Sequence, residues 1–158
     1  MYDFVVNSML GKLSKWLRVL GYSVFYNPRA SDNELIRIAK NTRAPLITRD
    51  RELYSKAIND RVNTFLIKST DIIDMLLLLH KKFNIRLDIN FDLTRCSKCN
   101  AKLKRCDKSL IYDKVPKEIL KRYNVFLVCP KCNSIYWPGK HYKNMILILK
   151  TVKELSSS

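Results

Sequence analysis

The sequence predicts an α/β protein: a parallel sheet flanked by helices over residues 1–90, followed by a small Cys₄ zinc-ribbon module over residues 91–158. Three observations predict this. Short β-like runs alternate with helical patterns through the first ninety residues, the signature of a parallel sheet with helices on its faces. Four cysteines stand as two CxxC pairs, Cys96-Ser-Lys-Cys99 and Cys129-Pro-Lys-Cys132, each suited to a knuckle that aims two thiolates at one ion. Only three glycines occur, so no Gly-rich linker separates the halves, which are expected to pack together.

The elements follow in order. Phe4-Val5-Val6 is a short apolar strand. Met9, Leu13, Trp16, Leu17 and Leu20 then recur at helical spacing, and Gly21 stands where a left-handed residue ends a helix. Ser23–Tyr26 is a second strand closed by Asn27-Pro28. Ser31-Asp-Asn-Glu34 matches a capping box and opens a helix carrying Leu35, Ile36, Ile38 and Ala39. Pro45–Thr48 is a third strand, followed by a helix that starts at Asp50; Asn63–Ile67 is a fourth, leading into a helix from Asp71 to about Phe83. Residues 84–95 lead to the first knuckle. Between the knuckles, Val115-Pro116 opens a short helix ending near Tyr123, and Val125–Val128 and Ser134–Trp137 are ribbon strands. His141–Leu155 is a helix that presents Met145–Leu149 to a partner surface.

The CxxC spacing points to a structural Zn²⁺ ion held by Cys96, Cys99, Cys129 and Cys132; two disulfides or unrelated buried thiols are the alternatives. A closed Cys₄ shell has no open position for catalysis, so chemistry belongs elsewhere. Cys106 is left over and reads as a buried apolar thiol. No apolar run approaches the ~20 residues that span a bilayer, and the N-terminus carries Asp3 where a signal peptide is basic. The expectation is a soluble cytoplasmic protein without a membrane partner. A reducing compartment also suits thiolate ligands.

Charge narrows the partner. Thirty Lys and Arg against fourteen Asp and Glu leave +16, and the surplus is heavier in residues 91–158, with 15 basic and 5 acidic side chains against 15 and 9 before them. Such a balance favours a polyanion, of which nucleic acid is the commonest in solution. No Walker, dinucleotide-binding or nucleophile-elbow motif occurs. In parallel sheets ligands bind beyond the carboxyl ends of the strands. There the chain carries Asn7, Asp32 with Glu34, Asp50 and Asp71, each group after a successive strand. Converging carboxylates suit Mg²⁺ or Mn²⁺, which activate water and stabilise the charge developing on an attacked phosphodiester. Each acid also stands where a helix begins, so capping explains any one of them alone. Lys12, Lys15, Arg18, Arg49 and Arg51 are placed to grip a nucleic-acid backbone near these acids. Lys98, Lys102, Lys104, Arg105 and Lys131, interleaved with Tyr112, Tyr136 and Trp137, offer phosphate contacts and stacking on the ribbon.

Several stretches together resemble a known family. They are Phe4–Tyr22, Ser31-Asp-Asn-Glu-Leu35, Leu46-Ile-Thr-Arg-Asp-Arg-Glu-Leu53, the paired knuckles, Val115-Pro116, and Tyr136-Trp-Pro-Gly139 with His141. In the same order they resemble the PIN-like ribonuclease family whose domain also ends a mutator exonuclease, the mutator-seven C-terminal RNase domain family. The resemblance implies a PIN-like α/β domain, a zinc ribbon and metal-dependent RNA cleavage. It implies metal-site roles for Asp32, Glu34 and Asp50, with Asp71 a fourth acid. Position 7 departs from the pattern, because family members end the first strand in aspartate and this chain has Asn7. An amide oxygen brings no charge and cannot serve as a base. The alternative expectation is therefore a non-catalytic RNA- or ribosome-binding protein that uses the basic ribbon.

Overall fold

The structure is a computed structural model describing residues 1–158. Four short strands form a parallel sheet: β1 (Phe4–Val6), β2 (Val24–Phe25), β3 (Leu46–Thr48) and β4 (Thr64–Leu66), in the order β2-β1-β3-β4. Both faces are covered, which is why Phe4-Val-Val and Leu46-Ile-Thr read as continuous buried runs rather than alternating ones. Successive side chains still leave by opposite faces. Phe4, Val6 and Ile47 enter a core shared with α1 (Gly11–Val19) and α4 (Ile72–Phe83), whereas Val5 and Leu46 join α2 (Asp32–Thr42) and α3 (Arg51–Asn59).

Each helix ends as its local chemistry dictates. Gly21 sits at φ +98° just beyond α1, and a Cβ there would meet Leu93 Cβ at 2.9 Å, so only glycine fits. Arg43 and Asn84 take left-handed conformations after α2 and α4. At the start of α2 one half of the capping box forms, with Ser31 Oγ accepting from Glu34 N–H at 3.1 Å.

Residues 91–139 form the second sheet, β5 (Lys104–Arg105), β6 (Leu127–Val128) and β7 (Ile135–Tyr136), all antiparallel, with α5 (Lys117–Arg122) between β5 and β6. The strand β5 escapes sequence reading because Lys104-Arg105 is exposed on both residues and shows no apolar signal. Cys106 is half-buried, not a core thiol, with its Sγ 3.4 Å from the Asp107 carbonyl. The final helix, α6 (Lys140–Ser156), leaves the ribbon and lies along α4; Met145, Leu149 and Val152 complete the core of the first sheet. The hydrophobic core therefore crosses the expected boundary at residue 90, and the last helix is built into the first unit. No helix is long and apolar enough to cross a membrane.

Candidate functional site

The four knuckle cysteines converge. Their sulfurs all lie within 4.8 Å of one another, with Cys96–Cys132 at 3.6 Å and Cys99–Cys129 at 3.4 Å. Four thiolates about 2.3 Å from one Zn²⁺ would stand about 3.8 Å apart along the tetrahedron's edges. The sulfurs are free and far beyond disulfide length, so the donor set fits zinc. The two knuckles are built alike. Asn100 and Asn133 follow the second cysteine of each pair at φ 74° and 65°, and each donates its N–H to the carbonyl of the first cysteine at 2.9 Å. Asparagine tolerates this conformation better than other non-glycine residues.

A surrounding layer of hydrogen bonds supports the thiols. The Tyr136 hydroxyl lies 3.1 Å from Cys96 Sγ and the Ser134 hydroxyl 3.1 Å from Cys132 Sγ. Hydrogen bonds from Ser134 lower the Cys132 thiol to about 6, whereas burial pushes Cys99 up to about 12. Burial likewise raises Tyr136 to about 12, which keeps its phenol protonated as a donor. Burial thus opposes ionisation of Cys99, and the charge of a bound metal ion would oppose that effect.

The first knuckle is also fastened to the edge of the parallel sheet. Asn100 Oδ1 accepts from Val24 N–H at 2.8 Å, and its amide nitrogen donates to Ser23 Oγ at 3.1 Å. Arg18 is only 5% exposed; its guanidinium donates to Val24 O at 2.8 Å and Ser97 O at 3.0 Å. The expectation for Arg18 is a grip on RNA; its two terminal guanidinium nitrogens instead join β2 to the knuckle, and its Nε is buried without a partner. Its pKa is lowered by burial, with Cys96 and Cys99 opposing that shift. The remaining basic candidates stay accessible. Lys12, Lys15, Arg51, Lys98, Lys102, Lys104, Arg105 and Lys131 are exposed, although Arg105 is paired with Asp92 at 3.2 Å. Arg49 is half-buried, with an Nε that has no partner.

The strand-end residues divide between two positions. The order β2-β1-β3-β4 reverses direction at β1, so the crevice between the carboxyl ends of β1 and β3 is the topological switch point where α/β sheets take ligands. Asn7 and Asp50 flank it. Asn7 N–H still donates to Ile47 O at 2.9 Å, continuing the ladder, and Asp50 N–H donates to Thr48 Oγ1 at 2.9 Å. Asn7 is 5% exposed, and its Oδ1 accepts from Met9 N–H at 3.2 Å. Asp50 Oδ1 caps α3 through Glu52 N–H (2.9 Å) and Leu53 N–H (3.4 Å); no hydrogen bond engages its Oδ2. Asp32, on the first turn of α2, is tied to Lys56 of α3 at 3.7 Å, and half-buried Glu34 shares that turn. Asp71 is exposed and caps α4 through Ile73 N–H at 3.2 Å. Capping thus accounts for one oxygen of Asp50 and of Asp71. The cysteines form the cluster of three or more metal-type ligands; these carboxylates do not close on one point.

The sequence matches the Mut7-C RNAse domain over residues 2–149, a span that takes in the strand-end residues, both knuckles and most of α6. This chain belongs to the Mut7-C RNAse domain family. Membership supports a ribonuclease and suggests RNA as a partner. Comparison with curated proteins finds no match, and comparison with solved structures finds none. The four cysteines could hold a metal such as zinc, and a Cys₄ shell would leave no open position for catalysis.

A further feature was not legible in sequence. A largely apolar cleft of about 380 Å³ opens between α1 and the ribbon, lined by Trp16, Phe91, Trp137 and Tyr142 among others. Its walls are distant in sequence, and the only local signal was the Tyr136-Trp-Pro-Gly139 run.

Proposed function

We propose that this protein is an RNA-directed member of the PIN-like, metal-dependent ribonucleases, cleaving RNA phosphodiesters at the carboxyl ends of β1 and β3. The support for this reading is that Asn7 and Asp50 each follow one of the two strands, β1 and β3, that border the switch point of a parallel sheet, in a chain of an RNase domain family. The fit to a hard cation is that of an open site. Mg²⁺ is commonly bound by one or two carboxylates plus water and substrate phosphate rather than by an all-protein cage. Asp50, with its unbonded Oδ2, and Asp32 meet that demand, with Glu34 and Asp71 as further acids and Asn7 a neutral oxygen. Mg²⁺ or Mn²⁺ held there would supply Lewis-acid activation of water and charge stabilisation at phosphorus. Lys12, Lys15 and Arg51 are exposed around the crevice and bind the flanking phosphates. Asn7 limits the reaction, because it removes a negative charge where family members carry aspartate.

A second reading is a non-catalytic RNA- or ribosome-binding protein, favoured by the amide at position 7 and by the dispersed carboxylates. One assay separates them: purified protein with Mn²⁺ and 5′-labelled single-stranded RNA, run beside Asn7→Asp and Asp50→Asn. The ribonuclease reading expects cleavage that increases in Asn7→Asp and disappears in Asp50→Asn. No cleavage by either the wild type or Asn7→Asp, with RNA binding intact, leaves the binding protein.

A further inference from the structure

We infer that the cleft between α1 and the zinc ribbon is a subsite for one unpaired RNA nucleotide, with its base among the aromatic rings and its phosphates on Lys12, Lys15 and Lys140. The inference rests on the RNA-directed reading above and extends it away from the strand-end crevice. Two independent properties of the cleft select this occupant.

The first is its surface. Phe91, Tyr136, Trp137 and Tyr142 are all only half-buried, so aromatic faces remain available where two units meet. The Trp137 indole is held in place: it stacks obliquely on Phe126, with ring centroids 6.2 Å apart, and lies so close to Gly139 that a Cβ there would sit 3.0 Å from Nε1. Flat, fixed aromatic rings are the platforms on which unpaired bases stack, largely regardless of sequence. A volume of about 380 Å³ is at the small end for ligand sites and suits one nucleotide rather than a duplex.

The second is charge. No Asp or Glu lines the cleft, although the chain has fourteen. Lys12 and Lys15 of α1, Arg95 and Lys140 of α6 line it instead. The α6 N-terminus opens into the same space with no capping side chain and no acid in its first turn, so its positive end adds to the lysines. An apolar floor under an all-positive wall matches a base joined to phosphates. An acidic peptide is the competing occupant, and it lacks the flat ring the floor would receive. The helix α1, which begins just beyond β1 and Asn7 in the chain, carries Lys12 and Lys15 of the cleft wall.

Anisotropy of a fluorescein-labelled oligouridylate, measured on the zinc-loaded full chain, tests the inference. Trp137→Leu, checked for zinc content, is expected to weaken binding by at least about fivefold. Lys140→Ala is expected to weaken binding and flatten its salt dependence; Lys140 is exposed, lines the cleft and is not among the residues assigned to the crevice, so this variant decides the matter if Trp137→Leu loses zinc. Blunt duplex RNA is expected to lose nothing in Trp137→Leu. Unchanged single-strand affinity in both variants overturns the subsite and leaves the ribonuclease reading standing. Displacement of the oligonucleotide by poly-glutamate at equal concentration also overturns it, in favour of an acidic protein partner. Absence of any RNA binding by the wild type removes both.

Discussion

Asn7 and Asp50 carry the most information per side chain, and each serves structure and chemistry at once. Asn7 is buried and caps the turn that leads into α1, so replacing its amide by a carboxylate buries a charge. Asn7→Asp is therefore expected to cost about 1–3 kcal/mol without a divalent ion. Mn²⁺ should restore that loss by binding the folded state, a rescue visible as a rise in Tm that the wild type does not share. A Tm indifferent to Mn²⁺ in Asn7→Asp would count against an ion in the crevice. Asp50 offers the complementary separation. Asparagine and aspartate are equally good helix caps, so Asp50→Asn should leave Tm nearly unchanged while abolishing Mn²⁺-dependent cleavage, whereas Asp50→Ala loses both cleavage and about 1 kcal/mol of stability. Arg18 shows the reverse lesson: a lysine-and-arginine face on a helix looks like a phosphate grip, yet its guanidinium is spent on two carbonyls.

Among the elements, α1 and α6 do the joining. The carboxyl end of α1 is closed by the passage over residues 84–95 that leads into the ribbon, with Thr94 Oγ1 donating to Val19 O at 2.9 Å and Arg86 Nε to Leu20 O at 3.3 Å. Gly21 makes that approach possible. Gly21→Ala is expected to destabilise by more than about 1 kcal/mol, since it combines a left-handed backbone with a clash against Leu93, and chemical denaturation measures it directly. The helix α6 supplies Met145, Leu149 and Val152 to the first core, so Leu149→Ala should cost about 2–5 kcal/mol although residue 149 lies beyond the metal module. A loss below about 1 kcal/mol would mean that α6 does not belong to that core.

For the whole molecule, the cysteine site and the parallel sheet are coupled. Chelation would remove the ion that gathers the four sulfurs, and the first knuckle is then expected to lose its hold on the edge strand β2, where Asn100 and Arg18 now satisfy Val24. Excess chelator is expected to make residues 93–139 protease-sensitive and also to lower the Tm of the remainder, not of the ribbon alone. The pH dependence has a definite sign. The Cys132 thiol is depressed from its ordinary value of 9.0 to about 6, so the stability it contributes is present in full above about 9 and is lost as the pH falls through about 6. Protons also compete with zinc at every thiolate, so zinc release, read with a metal dye, should rise as the pH drops from about 8 to about 5. RNA binding is expected to weaken steeply with added salt, as the release of counterions from phosphates requires.

Local chemistry made much of this protein legible in its residues. The CxxC spacing, the continuous apolar runs, the caps at Ser31, Asp50 and Asp71, and the glycine after α1 are decisions made within a few residues of chain, where hydrogen-bond satisfaction and backbone sterics leave few choices. The α/β order and the metal ligands follow from them. What only the tertiary structure decided lies between distant segments. It spends Arg18 on a carbonyl 79 residues away, puts α6 into the first core, keeps the carboxylates from closing on one point, and opens an aromatic, acid-free cleft between α1 and the ribbon. The physical reason is that burial and pairing depend on which surfaces meet, and neither periodicity nor spacing along the chain encodes that meeting.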